Sequence, residues 1–159
     1  SKIKKINNEV EIRKDLYSKF RNLRNTVEIS HSEFDRFQTQ NNFKIYGGQA
    51  GIFRDNKRTR LISNTEEGLV VSILSTPLSI YEDLVDWDNG ELIYMYPQTK
   101  RHSSFDKNEV QALRNNFKHN IPFFYIYSER KNKNTKEVWL GWVIDDDPKS
   151  KSFLIKFND

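Results

Sequence analysis

The chain contains no cysteine, and it has only three histidines among its 159 residues. Without cysteine it has no disulfide framework, no thiolate ligand for zinc and no thiol nucleophile. His31, His102 and His119 lie far apart in the sequence, so we expect neither a three-histidine metal site nor an HNH nuclease centre. The chain therefore lacks the residues for much metal and thiol chemistry, and no cofactor is expected.

Long hydrophobic runs are also missing. No stretch approaches the roughly 18 apolar residues that a membrane span needs. The lysine-rich opening Ser1–Lys5 is not followed by the apolar core of a signal peptide. We therefore expect a cytoplasmic protein with no membrane partner.

The apolar residues that are present are mostly large. Hydrophobic residues make up 36% of the chain, but aromatic residues alone make up 13%, and each aromatic ring buries a large area. The sequence therefore predicts a folded chain, and its length corresponds to one domain.

Charge is segregated along the sequence. The formal net charge is +4, but the window from Tyr81 to Gln98 holds five acidic residues and no lysine or arginine, which gives it a charge of −5. The rest of the chain, with 26 basic and 17 acidic residues, carries +9. Basic clusters lie at Lys2–Lys5, Arg54–Arg60, Lys100–His102 and Arg130–Lys136, and three of them fall in stretches that read as loops. Each cluster alone is typical of a solvated face, whereas several around one acidic, aromatic segment favour a surface that binds a polyanion.

The first third of the chain shows one clear element. Apolar residues at spacings of three and four predict an amphipathic helix from Glu9 to Val27, with Ile12, Leu16, Phe20, Leu23 and Val27 on its buried face. The Asn/Gln-rich stretch Ser30–Asn42 has no assignable pattern beyond the possible anchors Phe34 and Phe37. Tyr46–Gly51 then contains three of the six glycines, which indicates that the backbone bends or approaches another group closely there.

From Gly68 onward the pattern is that of short strands. Five are predicted, at Leu69–Leu74, Leu92–Tyr96, Phe123–Tyr127, Val138–Ile144 and Phe153–Phe157. One helix is predicted at about residues 107–119, with Asp106 as its N-cap, Glu109 as the capping-box partner, and Val110, Leu113 and Phe117 on the apolar face. The sequence therefore predicts an α+β fold, in which a curved, mostly antiparallel, barrel-like sheet carries an N-terminal helix and a crossing helix.

Two acidic groupings are candidate catalytic or metal sites. Asp145–Asp147 offers carboxylates that suit Mg²⁺ or Ca²⁺, although adjacent acids before Pro148 also fit a solvated turn. Glu129-Arg130-Lys131 has the Glu-x-Lys form of a metal-dependent nuclease, with Asp106 as its upstream acid, but such a match arises readily in a lysine-rich chain. A small metal-dependent nuclease is therefore one alternative hypothesis.

The segment from Tyr81 to Pro97 is the most informative. Aromatic rings and carboxylates alternate in it, as in a pocket for a flipped base, where rings stack on the base and a carboxylate accepts its exocyclic amine. The alternative is that the rings are core packing and the acids are solubilising.

Several short motifs occur in a fixed order along the chain, at Gln49–Ile52, Glu67–Leu74, Tyr81–Asp83, Asp88–Tyr94, Asn108–Ile126, Trp139–Val143 and Phe153–Phe157. This order resembles the SRA (YDG) domain, a PUA-like fold that reads modified cytosine. Leu84 stands where the family has a second aspartate, and Tyr94–Pro97 replaces the family's Tyr-Thr-Gly.

The resemblance implies an N-terminal helical extension at 1–45 and an SRA/PUA-like DNA-reader domain at 46–159. It implies that the chain is not itself an enzyme. It would be the specificity domain of a bacterial restriction or defence endonuclease of the HNH or another type, whose nuclease domain lies elsewhere in the full-length protein. Its partner would be double-stranded DNA carrying a modified base, and it would recognise that base by flipping it. A sequence-specific PUA- or B3-like DNA or RNA module that does not flip a base is the second alternative.

Three groups of site residues follow from this hypothesis. The base pocket would use Tyr81, Asp83, Asp86, Trp87, Tyr94 and Tyr96. The DNA backbone or base would lie close to Tyr46, Gly47, Gly48, Gln49 and Gly51. Phosphates would be neutralised by Arg54, Lys57, Arg58, Arg60, Lys100, Arg101, Arg130, Lys131 and Lys133.

Overall fold

A computed structural model describes residues 1–24, 28–47, 51–76, 84–98, 103–128 and 135–158. The described helices are α1 (Lys2–Arg24), α2 (His31–Gln40), α3 (Asn56–Ser63) and α4 (Ser103–His119). The described strands are β1 (Glu28–Ser30), β2 (Gly51–Phe53), β3 (Ser72–Ser75), β4 (Leu84–Asp86), β5 (Glu91–Met95), β6 (Phe123–Tyr127), β7 (Thr135–Asp147) and β8 (Ser152–Asn158). The predicted α+β class is confirmed.

The strands form one sheet in the order β2-β3-β6-β7-β8-β5-β4, and β1 pairs with β7 away from this path. Every described pair is antiparallel except β3 with β6. No pairing among the described strands joins β2 to β4, so the sheet is open rather than a closed barrel. Its two edges are therefore the β2 side and the β4–β5 hairpin.

Each of the five predicted strands overlaps a described strand, but β3 begins at Ser72, so Leu69–Val71 of the first predicted strand precede it. β6 has the predicted bounds, and β7 extends the predicted Val138–Ile144 strand to 13 residues. The sequence pattern missed β1, β2 and β4, which have three residues each. Three residues are too few to display the alternation by which a strand is recognised.

Helix α1 begins earlier than predicted, and the predicted apolar stripe is partly wrong. Ile12 is 44% exposed, whereas Arg13 is fully buried. Arg13 donates from Nε to Glu9 at 2.9 Å and from Nη1 to the carbonyls of Val70 and Pro122, each at 2.7 Å. The buried face thus contains a charged pair, which a hydrophobic pattern assigns to solvent.

Helix α2 occupies the Asn/Gln-rich stretch that could not be assigned. Ser30 is its N-cap, and its Oγ accepts a hydrogen bond from the Glu33 amide at 3.3 Å, as N-cap side chains do. The anchors Phe34 and Phe37 are buried, as expected. Val27 and the other residues at 25–27 lie outside the described ranges.

Helix α4 begins at Ser103, so the predicted N-cap at Asp106 is wrong. Asp106 lies in the first turn, where a carboxylate is favoured by the helix dipole. Phe117 is 38% exposed, whereas Asn116 is buried in its place. The Asn116 side chain accepts from the Val70 amide at 2.8 Å and donates to the Val70 and Ile121 carbonyls. These bonds fix α4 to the chain ahead of β3 and β6.

Two apolar clusters cover the sheet. One joins α1 and α2 to one face and includes Phe20, Phe34 and Phe124. The other lies under α4 and includes Leu113, Phe123 and Phe153. Helix α1 contributes Leu16, Tyr17 and Phe20 to the same core as β6 and β7.

None of the helices in the described ranges combines the length and apolar character needed to cross a membrane.

Candidate functional site

The β4–β5 hairpin separates the predicted base-pocket residues into two groups. Asp86 and Trp87 lie at its turn. Tyr94 and Tyr96 lie toward the opposite end. Tyr96 follows the last residue of β5, and its backbone amide donates to the Lys151 carbonyl at 2.8 Å. Six residues of extended chain, at about 3.3 Å each, place Gly90 and Tyr96 roughly 20 Å apart. One pocket therefore does not contain both groups.

Tyr81 and Asp83 lie outside the described residues. Leu84, which directly follows them, pairs with Ile93 at the open end of the hairpin. Leu84 and Ile93 are thus the paired residues of β4 and β5 that lie farthest from the turn and nearest to Tyr96.

A groove of about 830 Å³ lies beside Tyr96. Its walls are the chain from Tyr96 to Gln98, one face of α4 and the β7–β8 turn residue Lys151. The α4 wall consists of Asp106, Lys107, Asn108, Val110, Gln111 and Arg114, and Glu67 lies at the border. The groove therefore combines an aromatic ring with amide, carboxylate and cationic side chains.

Tyr96 is held in place by two partners. Its hydroxyl donates to Asp146 Oδ1, and Arg114 donates from Nε to Asp146 Oδ2 at 2.7 Å and from Nη2 to the Tyr96 hydroxyl at 3.3 Å. Its ring packs on Phe153, with centroids 4.8 Å apart. Tyr96 is therefore a pre-positioned ring at the groove.

The charges in this network are fixed. Burial and the hydrogen bond to Asp146 raise the pKa of Tyr96, so the phenol stays protonated and acts as a donor. The hydrogen bond to Asp146 also raises the pKa of Arg114, which therefore stays cationic. Such a groove can stack a planar ring and offer both donors and acceptors to its edge.

At the turn end, Trp87 stacks on Phe157, with centroids 5.6 Å apart and planes 16° apart. Asp86 accepts from the backbone amide and side-chain amide of Asn89, at 3.2 and 2.7 Å. These bonds lower the pKa of Asp86. Asp86 is therefore an ionised carboxylate whose hydrogen bonds stabilise the turn, and it lies away from the groove.

Tyr46 is buried, so its ring is not accessible for stacking on a ligand. Its hydroxyl lies 2.9 Å from His31 Nδ1, and Lys136 Nζ lies 5.2 Å from its ring centroid. Gly47 is exposed, and Gly51 begins the edge strand β2 with a φ of +99°. Gly48 and Gln49 are outside the described residues. The buried Tyr46 thus anchors this segment to the core, and the neighbouring Gly47 is exposed to solvent.

The cluster Arg54–Arg60 lies largely on helix α3 rather than in a loop. Arg58 forms an ion pair with the buried Glu9, and Arg54 donates to the Glu67 carbonyl. Lys57 and Arg60 are exposed. The other predicted phosphate ligands, Lys100, Arg101, Arg130, Lys131 and Lys133, lie outside the described residues.

The candidate metal acids are dispersed. Asp146 faces Tyr96 and Arg114, while Asp147 accepts from the Ser150 hydroxyl at 2.9 Å within the β7–β8 turn. Across the described ranges, no group of three potential ligands could hold a metal ion. Asp106 lines the groove, and Glu129 and Lys131 lie outside the described residues, so the nuclease set stays a prediction.

Sequence reasoning missed Gln98, Gln111 and Arg114, and it named Asp146 only as a candidate metal ligand. The signal for part of this set is present in α4, where Lys107, Gln111 and Arg114 recur at spacings of four and three. That spacing places polar side chains along one helix face. Asp146 carries no such signal, because its contact with Tyr96 spans 50 positions.

No family model and no curated protein matches the chain. Three solved structures of the SUVH5 SRA domain are similar to it. The complex with methylated CHH DNA is 20% identical over 75% of this chain and 81% of that chain, with a TM-score of 0.45. The complex with fully methylated CG DNA is 20% identical over 69% and 74%, with a TM-score of 0.42. The complex with fully hydroxymethylated CG DNA is 18% identical over 83% and 85%, with a TM-score of 0.44. These structures are of the domain type that the sequence motifs resemble.

Proposed function

We propose that this chain is an SRA-type DNA-binding domain that recognises a modified cytosine in duplex DNA by receiving the flipped base in the groove beside Tyr96. The observation that carries the proposal is the fixed ring of Tyr96 in a groove with polar walls, toward the hairpin end at which Leu84 pairs with Ile93. In this proposal the base pocket lies at that end of the hairpin, and Asp86 and Trp87 are not part of it.

The groove offers what a flipped base requires. Extrusion costs a few kcal/mol of unstacking and unpairing, and stacking on an aromatic side chain returns about 1–3 kcal/mol. Gln98, Gln111 and Asn108 offer amides to the edge of the base, and Glu67 and Asp106 offer carboxylates that accept the exocyclic amine. Tyr81 would supply a second stacking ring and Asp83 a further edge contact.

Contacts to the DNA backbone would come from cations outside the groove. Lys57 and Arg60 are exposed on α3, and Lys100, Arg101, Arg130, Lys131 and Lys133 would add to them. Gly47 to Gly51 would approach the backbone closely. Each neutralised phosphate releases counterions, so affinity would fall steeply with salt. Arg58 is excluded from this set because its guanidinium is engaged with Glu9.

The biological setting belongs to the same proposal. The domain would act as the non-catalytic specificity module of a bacterial restriction or defence endonuclease. A nuclease domain elsewhere in the full-length protein would cut the DNA in the cytoplasm. Residues 1–45 would form a helical extension that packs on the reader domain at 46–159.

Fluorescence anisotropy tests the proposal with three otherwise identical duplexes that carry cytosine, 5-methylcytosine or 5-hydroxymethylcytosine, at about 50 and 200 mM salt. We expect tighter binding to one modified duplex and a steep loss of affinity with salt. Tyr81→Ala should lose that preference and keep binding to unmodified DNA, whereas Tyr127→Ala, on β6, is the matched control. Equal binding to all three duplexes would instead support a module that does not flip a base.

A cleavage assay separates the reader from the nuclease alternative. With protein in excess over duplex and Mg²⁺ present, we expect intact DNA. Cleavage that Glu129→Ala abolishes would contradict the proposal and support the metal-dependent nuclease.

A further inference from the structure

A second groove, of about 790 Å³, lies between helix α2 and the segment 42–47. One face of α2 forms its wall, because His31, Asp35 and Gln38 recur at spacings of four and three. Among the described residues, it shares no lining residue with the groove beside Tyr96. The other residues that line it are Thr39, Asn42, Phe43, Lys44, Tyr46 and Gly47.

Lys136, near the start of β7, brings a buried ammonium group to this second groove. The residue is only 7% exposed, and its Nζ lies 5.2 Å from the ring centroid of Tyr46, which lines the groove. Nζ is not among the unpartnered side-chain atoms of the described residues that are shut off from solvent, so it reaches solvent beside this ring.

The Lys136 ammonium lacks a close counterion. No carboxylate of the described residues lies within ion-pair distance of its Nζ. Burial lowers the pKa of Lys136, and the charge of Asp35 only partly opposes this. A buried cation without a paired anion is costly, so an anion bound at this point would stabilise it.

The second groove also holds a free donor and a further cation. Gln38 accepts the amides of residues 45 and 46 with its Oε1, at 2.6 and 3.3 Å, which leaves its Nε2 as a donor. Lys44 is exposed at the rim. Asp35 is the only carboxylate among the described lining residues, so the two lysines leave the groove cationic.

We propose that this second groove binds a phosphate group of the DNA backbone, with Lys136 and Lys44 as the cations and the Gln38 amide as a donor. The inference rests on the proposed DNA-reading function. Gly47 lines the groove and begins the segment that this function brings to the backbone, and Lys136 follows the basic stretch Arg130–Lys133 in the sequence. Both observations favour the DNA backbone over a free phosphate ester as the source of the phosphate.

The salt dependence of duplex binding provides the first test. The probe is the unmodified duplex, titrated by fluorescence anisotropy at about 50 and 200 mM salt. A lost phosphate contact lowers the salt slope by about 0.9, so the double variant Lys44→Met plus Lys136→Met should make the fall in affinity between these salts about 3.5-fold smaller. Lys44→Met alone, at an exposed residue whose change does not threaten the fold, should have a smaller effect in the same direction. Lys156→Met, at an exposed lysine of β8, is the matched control and should bind like the unchanged chain.

His31 reports on the second groove directly. Its Nε2 lies 3.3 Å from Asp35 Oδ2, and its Nδ1 lies 2.9 Å from the Tyr46 hydroxyl. The chain has three histidines, so single His→Gln variants assign the three imidazole C2–H signals in nuclear magnetic resonance spectra. We expect the unmodified duplex to shift the His31 signal, and we expect the double variant to lose this shift. A deoxynucleoside monophosphate is the second probe, and it should shift the signal only at much higher phosphate concentration.

Three results would overturn the proposal. They are a His31 signal that the duplex leaves unshifted, a salt dependence that the double variant leaves unchanged, and a shift that the mononucleotide saturates as readily as the duplex does. The last result would mean that the groove takes a free phosphate ester. Equal binding of the cytosine, 5-methylcytosine and 5-hydroxymethylcytosine duplexes would contradict the proposed base reading and leave this contact standing, because a backbone phosphate carries no base identity.

Discussion

Glu9 and Arg58 lie 49 positions apart and form a two-point ion pair, in which Arg58 Nη1 and Nη2 donate to the two Glu9 carboxylate oxygens at 2.7 and 3.0 Å. Glu9 also accepts from Arg13 at 2.9 Å. One buried carboxylate thus holds two arginines and joins α1 to α3. The guanidinium of Arg58 is committed to the fold, although its position in a basic cluster indicated a phosphate ligand.

Arg58→Ala should therefore destabilise the protein more than it weakens DNA binding. Removing the partner of a buried charged group costs about 1–3 kcal/mol, and we expect a loss of unfolding free energy in that range by urea denaturation. Lys57→Ala, on the same helix, should change stability by less than about 0.5 kcal/mol while it weakens binding to every duplex. Equal stability of the two variants would contradict the structural role of Arg58.

Glu9 should also make stability depend on pH in the acidic range. Burial alone would raise the pKa of Glu9, but the charges and hydrogen bonds of Arg13 and Arg58 together hold it below its ordinary value of 4.5. A lowered folded-state pKa contributes stability above the unfolded-state value, and this is lost as the pH falls through the folded-state value.

Urea denaturation between about pH 7 and about pH 3 measures this loss. Glu9→Gln should be less stable than the unchanged protein at neutral pH, and the gap should narrow as the pH falls below 4.5. A gap that stays constant over the whole range would mean that Glu9 is not the titrating group.

Gly68 and Gly51 allow backbone strain to be separated from steric conflict. Both have positive φ, +71° and +99°. A Cβ at Gly68 would lie 2.4 Å from Thr59 Oγ1, whereas one at Gly51 would meet no atom of the described residues within 4 Å. Thr59 Oγ1 cannot yield freely, because it donates to the Arg54 carbonyl and accepts from the Leu69 amide.

We therefore expect Gly51→Ala to cost about 1 kcal/mol of unfolding free energy, from strain alone. Gly68→Ala should cost about 3 kcal/mol, because overpacking adds to the strain. Chemical denaturation of the two variants checks this, and similar losses would mean that the structure relaxes around Thr59.

Two variants at Tyr96 separate the role of its aromatic ring from that of its hydroxyl. Tyr96→Phe keeps the ring on Phe153 and leaves the Arg114–Asp146 ion pair intact, so it should cost about 1 kcal/mol of stability. It should retain most of the modified-base preference. Tyr96→Ala should weaken binding to the modified duplex by about 5- to 150-fold, the range expected from a lost stacking contact. If Tyr96→Ala binds both duplexes as before, the base does not enter this groove.

The sequence predicted the long elements because their patterns are local. β6 is an unbroken run of aromatic and β-branched residues, and β7 alternates between buried and less buried positions over enough residues to be recognised. Helix α3 was missed because three of its eight residues are basic, its only neighbouring apolar pair is Leu61-Ile62, and its N-cap Asp55 makes no side-chain capping bond. Arg13 shows the same limit, since a buried charge is stabilised by distant carbonyl groups that no local pattern reveals.

The sequence predicted the kinds of residue in the candidate site, but only partly predicted how they lie relative to one another. Tyr96 was identified, but Tyr94 packs against the apolar cluster under α4 and is not among the residues that line the groove. A linear stretch of alternating rings and acids does not reveal that a hairpin separates Trp87 from Tyr96. That separation follows from the pairing of Leu84 with Ile93 and of Asp86 with Glu91. The polar face of α4 reaches the groove through tertiary packing alone.

The order of the strands has a consequence for how the groove is made. Among the described strands, β5 pairs only with β4 and with β8, the last strand of the chain. The hairpin that carries Tyr94 therefore joins the sheet only after residues 152–158 have been synthesised and have paired with β7. During synthesis on the ribosome, the core of β3, β6 and β7 can assemble while the groove is still incomplete. Among the described elements, the groove wall next to β5 is thus the last to form.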